Sequence, residues 1–204
     1  MSHYFETPED SGQRHEIHAE IWGRQYHFLS ADGVFSSRSL DLGTRVLFRQ
    51  TLAPRDRPGR FLDLGCGFGP VAIALACQCP QAVVDAIDVN ALALNLTAAN
   101  AQTMQVADRV HTYCPDQVPP DHLYDEIWSN PPIRIGKAAL HHLLTTWLGR
   151  LTPTGRATLV VGKNLGADSL HAWLESQGWL VERLGSAKGF RVLRAQASPP
   201  DVVA

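Results

Sequence analysis

The sequence predicts an α/β fold: a mostly parallel sheet with helices on both faces, preceded by an N-terminal β-hairpin annex. Three observations predict it. From Arg60 onward, short apolar runs alternate with helical stretches, the rhythm of strands that return through helices. The run Phe61-Leu62-Asp63-Leu64 passes directly into the glycine-rich turn Gly65-Cys66-Gly67-Phe68-Gly69-Pro70, which opens a helix. Ahead of this region the period is two instead, with Ile17, Ala19 and Ile21 before Trp22-Gly23-Arg24 and Tyr26 and Phe28 after it, as in two strands around a tight turn.

Taken in order, residues 41–52 carry Leu42, Val46, Leu47 and Leu52 at the spacing of a short amphipathic helix. Pro54 and Pro58, with charges between them, make a linker. Strands are expected at residues 60–64, 83–88, 110–114, 126–129, 157–161, 180–184 and 190–195. Helices are expected at 70–79, 91–104, 138–148 and 168–177. Asn90 suits the cap of the second of these helices, because its side-chain oxygen can take an orphan amide of the first turn. Gly178 closes the last helix as a left-handed cap. Residues 185–189 leave no room for a helix between the final two strands, which must therefore pair antiparallel at a sheet edge. The expected division is an annex over 1–56, a main domain over 57–197 and a frayed tail over 198–204.

At 204 residues, with 45% hydrophobic and 19% charged residues, the chain makes one domain of ordinary size. Such a chain buries roughly 70% of its unfolded surface, which excludes disorder, collagen and coiled coil. No apolar run approaches the roughly 20 residues of a membrane span, and the polar start MSHYFETPED is unlike a secretion signal. The expected setting is cytoplasmic, with no membrane partner, as monomer or homodimer. Cys66, Cys77, Cys79 and Cys114 lack CxxC spacing and are expected as reduced, mostly interior thiols. His141-His142 has no third ligand at metal spacing, so no metal is expected. The net charge of −2 is not that of a strongly basic nucleic-acid binder, but its distribution is uneven. Residues 61–126 set eight acids against Arg109 alone, whereas 127–167 hold Arg134, Lys137, Arg150, Arg156 and Lys163 with no acid. Arg45, Arg49, Arg55, Arg57 and Arg60, opposed by Asp56, form the best candidate for contact with an RNA backbone.

The glycine turn is followed by Asp88 at the end of the next strand, where a carboxylate can accept both hydroxyls of a ribose. Together they point to a nucleoside-containing cofactor. The spacing is G-x-G-x-G, and Asp63 stands two residues before the first glycine. An acid there repels a pyrophosphate and suits a cationic amino-acid end. S-adenosylmethionine therefore fits better than a nicotinamide dinucleotide. The second feature, Asn130-Pro131-Pro132-Ile133, ends the fourth strand of the main domain, near the crevice where an open parallel sheet binds ligands. An exocyclic amine is a poor nucleophile because its lone pair is delocalised. If the Asn130 side-chain oxygen and the Pro131 carbonyl accept its two N–H groups, the lone pair is aimed at a methyl carbon and the charge growing on nitrogen is stabilised. The Pro131-Pro132 pair holds that carbonyl's direction.

These residues, with Val89-Asn90, Arg134, Gly136-Lys137, Gly33-Val34-Phe35-Ser36, Asp41-Leu42-Gly43-Thr44 and Lys188-Gly189-Phe190, give the chain a resemblance. It resembles the class I S-adenosylmethionine-dependent methyltransferases, and within them the small-subunit (16S) ribosomal RNA guanine-N2 methyltransferases with their short single-domain bacterial relatives. The resemblance implies a Rossmann-like, seven-stranded sheet with an antiparallel last strand, and methyl transfer to guanine N2 of ribosomal RNA. It implies cofactor contacts from Phe35, Gly43, Asp63, Gly65, Gly67, Gly69, Asp88, Val89, Asp116 and Asn130. It also implies Asn130, Pro131, Pro132 and Ile133 as the catalytic tetrapeptide, with Arg134 and Lys137 meeting the substrate. Two features depart from the pattern. Cys114-Pro115-Asp116 replaces the usual Ser-Asp or Gly-Asp, and Ile133 stands where an aromatic residue commonly stacks on the target base, a contact worth about 1–3 kcal/mol. The longer ribosomal RNA enzymes carry a second, degenerate copy of the domain that this sequence lacks. A protein glutamine methyltransferase is the alternative enzyme, although its usual fourth residue is tyrosine. A non-catalytic cofactor-binding module for RNA or assembly is the alternative outside enzymes.

Overall fold

The structure is a computed structural model that describes residues 13–132 and 135–197. The expected tail, Ile133 and Arg134 lie outside the described residues. In chain order the elements are β1 (Arg14–Ile21), β2 (Arg24–Ala31), α1 (Leu42–Arg49), β3 (Gly59–Leu64), α2 (Pro70–Gln78), β4 (Ala82–Ile87), α3 (Ala91–Thr103) and β5 (Val110–Tyr113). There follow β6 (Tyr124–Ser129), α4 (Lys137–Leu148), β7 (Leu151–Gly162), α5 (Ala167–Ser176), β8 (Trp179–Ala187) and β9 (Phe190–Ala197).

The seven strands β3 to β9 form one sheet in the order β5-β4-β3-β6-β7-β9-β8, parallel except where β9 runs against both neighbours. This is the Rossmann-like arrangement the sequence implies, with the expected hairpin at one edge. Successive strand residues serve opposite faces. Phe61 enters one apolar cluster with α1, α2, α3 and the annex, and Leu62 enters another with α4 and α5. Parallel strands covered on both faces do not alternate polar with apolar, and β3 and β4 are mostly apolar, with Asp63 and Asp85 buried in them.

The annex is a two-stranded antiparallel sheet in which Ile21 pairs with Arg24, leaving Trp22-Gly23 as the turn. Both turn residues have positive φ, +49° and +78°, the geometry that matches the twist of a two-residue hairpin. For Trp22 that conformation is strained, and its packing compensates. Its ring meets Phe48 and Trp128 edge-on with centroids at 5.1 and 5.6 Å, and its indole N–H donates to the Thr51 carbonyl. Tyr26 and Phe28 are buried in the same cluster as α2 and α3, so the annex shares the main apolar core.

The helix expected over 41–52 is shorter. It stops at Arg49, where the Gln50 N–H closes on the Val46 carbonyl and the Thr51 hydroxyl on that of Leu47. Leu52 falls beyond the helical period and is 87% exposed, and the buried side is Thr44, Val46, Leu47 and Phe48. Strand β7 starts six residues earlier than expected and includes Pro153 and Gly155. The β6–β7 register jumps there from Tyr124↔Leu151 to Glu126↔Arg156. Asn90 and Gly178 behave as read. The Asn90 side chain accepts the Leu92 N–H, and Gly178 has φ +87°. Of the five arginines opposed by Asp56, two are committed to ion pairs. Arg57 meets Asp125, and Arg60 meets the fully buried Asp85, which also accepts from Tyr124 and contacts His122. Arg45, Arg49 and Arg55 remain exposed.

Candidate active site

The strand order reverses direction between β3 and β6, where ligands bind an open parallel sheet outside the carboxyl ends of its strands. Leu64 and Ser129 are register partners at those ends, and the Ser129 hydroxyl donates to the Leu64 carbonyl at 2.7 Å. The glycine turn leaves β3 at the next residue and Asn130 leaves β6 at the next residue. Sheet pairing thus brings together two motifs 65 residues apart.

Gly65, Gly67 and Gly69 all have positive φ, at +78°, +56° and +86°. Their surroundings divide them. A Cβ on Gly65 or Gly67 would meet nothing within 4 Å, so the backbone there faces open space that a ligand can enter. A Cβ on Gly69 would sit 2.7 Å from Thr97, so that glycine serves the close approach of α3. The Thr97 hydroxyl donates to the Gly67 carbonyl, and Asn100 donates to those of Phe68 and Leu29, tying the turn to α3 and the annex. Asp63 is buried beneath the turn and accepts the Ala72 N–H in the first turn of α2. Burial pushes its carboxyl up to about 7, against the pull of that N–H, and the negative charge of Asp88 raises it further. The Cys66 thiol in the turn is also buried and held well above the usual thiol range, so it is a packed, neutral group.

Asp88, at the end of β4, accepts the Gly67 N–H on Oδ2 and the Asn90 N–H on Oδ1, both at 2.9 Å. Each oxygen keeps a second lone pair for a ligand hydroxyl. Asn90 also donates to the Gly33 carbonyl, which fastens the segment bearing Phe35 to this loop. Phe35 and Val89 are 66% and 84% exposed, apolar side chains left uncovered two residues after Gly33 and next to Asp88 in the chain. Asp116 is exposed in a 3-10 turn, Pro115–Gln117, just after β5, the strand next to β4.

Asn130 is half-buried, and its amide is held from the annex side. Nδ2 donates to Asp41 Oδ2 at 2.7 Å and to the Thr44 hydroxyl at 3.1 Å, and no described residue donates to its Oδ1. Gly43 lies against the same group. A Cβ there would be 2.9 Å from Asp41 Oδ2, 3.0 Å from Phe190 Cε1 and 3.2 Å from Asn130 Nδ2. Pro131 is buried and Pro132 exposed, with the Pro132 carbonyl accepting the Ile135 N–H. Lys137 is exposed at the first position of α4.

A family model described as the methyltransferase small domain matches residues 25–194. The chain belongs to the methyltransferase small domain family. The curated relatives of this chain include the uncharacterized protein YbxB of Bacillus subtilis, 29% identical over 197 residues, covering 95% of this chain and 97% of that one. They also include ribosomal RNA small subunit methyltransferase C of Psychromonas ingrahamii, 32% identical over 69% of this chain and 41% of that one. The same enzyme of Hahella chejuensis is 32% identical over 80% and 47%. The chain thus spans nearly all of the first relative and less than half of the ribosomal ones. Among solved structures, the T. thermophilus 16S rRNA N2 G1207 methyltransferase (RsmC), in complex with AdoMet and guanosine, superposes with a TM-score of 0.78. It is 22% identical and covers 94% of this chain and 52% of that one. Precorrin-6y C5,15-methyltransferase of Geobacter metallireducens superposes with a TM-score of 0.62 at 17% identity, over 84% of this chain and 94% of that one. These likenesses agree in fold with the sheet order described above.

Sequence reasoning misses Asp41, Thr44, Thr97 and Asn100. Asp41 and Thr44 stand in a stretch from which only Gly43 had been singled out, and their contact with Asn130 spans 89 and 86 residues. Thr97 and Asn100 did leave a signal. They are polar residues three apart in an otherwise apolar part of α3, hence on one face, and both are buried. Among the described residues no group of three His, Cys, Asp or Glu side chains could hold a metal ion, and no helix is long and apolar enough to cross a membrane. His141 stacks on Trp173.

Proposed function

We propose that this chain transfers a methyl group from S-adenosylmethionine to N2 of a guanine in small-subunit ribosomal RNA, working in the cytoplasm. One observation carries the reading. Asn130 is tethered through Nδ2 at the end of β6, and its carbonyl oxygen accepts from no described residue, beside a glycine turn with open space above it. The residues present fit S-adenosylmethionine. Gly65 and Gly67 would admit the methionine part, and Asp63, beneath the turn, would be the acid nearest its ammonium group. Asp88 would take the ribose hydroxyls on its remaining lone pairs, Phe35 and Val89 would offer apolar surface to the adenine, and Asp116 would be the acid for its amine. Gly69 shapes the turn, and Gly43 backs the Asn130 amide.

When bound, this cofactor supplies an electrophilic methyl group. The chain's own contribution is to aim the acceptor. The Asn130 Oδ1 and the Pro131 carbonyl take the two N–H groups of the amine and hold its lone pair toward the methyl carbon. As positive charge grows on nitrogen, the same two oxygens stabilise it, and the proton then leaves to water. By sequence, Pro132 and Ile133 belong to the same catalytic tetrapeptide. Arg134 and Lys137, close to the tetrapeptide in sequence, are assigned to the RNA, and the exposed Arg45, Arg49 and Arg55 to its phosphates. A paired base must first leave its stack to reach this crevice.

The test uses methyl-labelled S-adenosylmethionine and small ribosomal subunits from a strain lacking this protein, followed by digestion to nucleosides. Label in N2-methylguanosine is expected. Asn130→Ala is expected to lower the transfer rate about 100-fold or more while cofactor affinity stays within a few-fold, because one transition-state acceptor is lost. Unchanged transfer in that variant, or label only in protein glutamine, would overturn the reading.

A further inference from the structure

An asparagine amide has two ends of nearly equal shape, and only one of them suits the proposed chemistry. Turned by half a rotation, Asn130 would offer an NH2 donor to an amine that needs an acceptor. What decides between the two is Asp41. Its Oδ2 lies 2.7 Å from Nδ2, and an ionised carboxylate accepts hydrogen bonds and donates none, so only the NH2 end can face it. Thr44 Oγ1, at 3.1 Å, takes the second contact of the same nitrogen. Asp41 is itself fixed, because Oδ2 also accepts the Thr44 N–H at 3.2 Å as the cap of α1. Gly43 packs beside the arrangement, since a Cβ there would stand 2.9 Å from Asp41 Oδ2 and 3.2 Å from Nδ2.

We propose that Asp41 is a positioning residue for methyl transfer. It sets the carbonyl end of Asn130 toward the acceptor nitrogen, and its charge polarises the amide so that Oδ1 becomes a stronger acceptor. The proposal rests on the reading of Asn130 as the group that holds the amine. It makes the first turn of α1 part of the catalytic centre.

Two substitutions separate positioning from support. Asp41→Ser keeps a good helix cap but is too short to reach Nδ2, and its hydroxyl can donate as well as accept. Asp41→Asn keeps an acceptor oxygen and loses the charge. With small ribosomal subunits from the deletion strain, kcat is expected to fall about 100-fold in Asp41→Ser, as for a misplaced reacting group, and about tenfold or less in Asp41→Asn. Cofactor Kd and melting temperature are expected to stay close to the parent's in both. A second readout needs no substrate. The side-chain amide 15N–1H signals of Asn130, identified by their loss in Asn130→Ala, should move in both Asp41 variants. An Asp41→Ser kcat within threefold of the parent overturns the proposal, as does a loss matched by an equal loss of cofactor affinity or of fold. Unmoved Asn130 signals in Asp41→Asn also overturn it, even if Asp41→Ser does not fold. Transfer retained in Asn130→Ala would instead remove the reading beneath it.

Discussion

Gly43→Ala sets stability against rate at a single atom. Gly43 is the second residue of α1, and its φ is not in the positive range, so alanine fits the backbone and gains about 1 kcal/mol of helix propensity over glycine. The added Cβ, however, arrives 2.9 Å from Asp41 Oδ2, 3.0 Å from Phe190 and 3.2 Å from Asn130 Nδ2, closer than such contacts normally stand. The carboxylate can retreat only by stretching its bonds to the Thr44 N–H and to Asn130, and losing a helix cap costs about 1 kcal/mol. The two effects nearly offset, and the expected change in unfolding free energy is within about 1 kcal/mol of zero. The rate has no such offset. A displacement of about 1 Å at a reacting group costs about 100-fold, so a shift of a few tenths of an ångström with loss of the Asp41 contact should cost about tenfold or more. Urea unfolding gives the first quantity, and single-turnover transfer at saturating cofactor gives the second. A variant that transfers within twofold of the parent would refute the placement of Asn130 against this wall. Destabilisation beyond about 2 kcal/mol would show that the wall cannot yield and that the compensation argued here does not operate.

Further expectations concern the cofactor side. Asp63 has a folded-state carboxyl raised to about 7 from an ordinary 3.8, so it favours the folded state while protonated. That contribution is present below about pH 4 and is lost as pH rises toward 7, at about 1.4 kcal/mol per pH unit and at most about 4 kcal/mol in all. The stability of Asp63→Asn relative to the parent should therefore rise between pH 4 and 7 and level off above it in urea titrations. A difference independent of pH would mean that Asp63 ionises without penalty. Gly65→Ala and Gly69→Ala both place a side chain at positive φ, at about 1–2 kcal/mol, but only the second also strikes Thr97. Gly69→Ala should show the larger loss of stability in urea and Gly65→Ala the larger loss of cofactor affinity by calorimetry. The reverse order would place the cofactor elsewhere.

Much of this was legible because the relevant signals are local. A glycine turn between an apolar strand and a helix, an acid at the end of the next strand and a proline-stiffened motif at the end of another each declare themselves within ten residues. Pairing of Leu64 with Ser129 then follows from sheet topology. What spacing could not give were contacts made across the fold. Nothing in the vicinity of Asn130 announces Asp41, and nothing near Arg60 announces Asp85, so the arginines opposed by Asp56 read as one basic run although two are neutralised by buried or half-buried acids. The end of α1 was overextended for a related reason. Leu52 continues an apolar count, but Thr51 turns its hydroxyl onto the helix and ends the period.

The position of β9 bears on when the molecule becomes competent. Last of the seven sheet strands in the chain, it fills the slot between β7 and β8, and its first residue, Phe190, forms one wall of the Gly43 niche. During synthesis β8 therefore emerges with no partner beside it, and the sheet has a gap until the residues up to 197 have been made. Such non-local closure is the slow kind of folding step and leaves strand edges exposed while it waits. Assembly of the Asn130 niche is coupled to this closure, so a chain truncated before β9 would lack its Phe190 side.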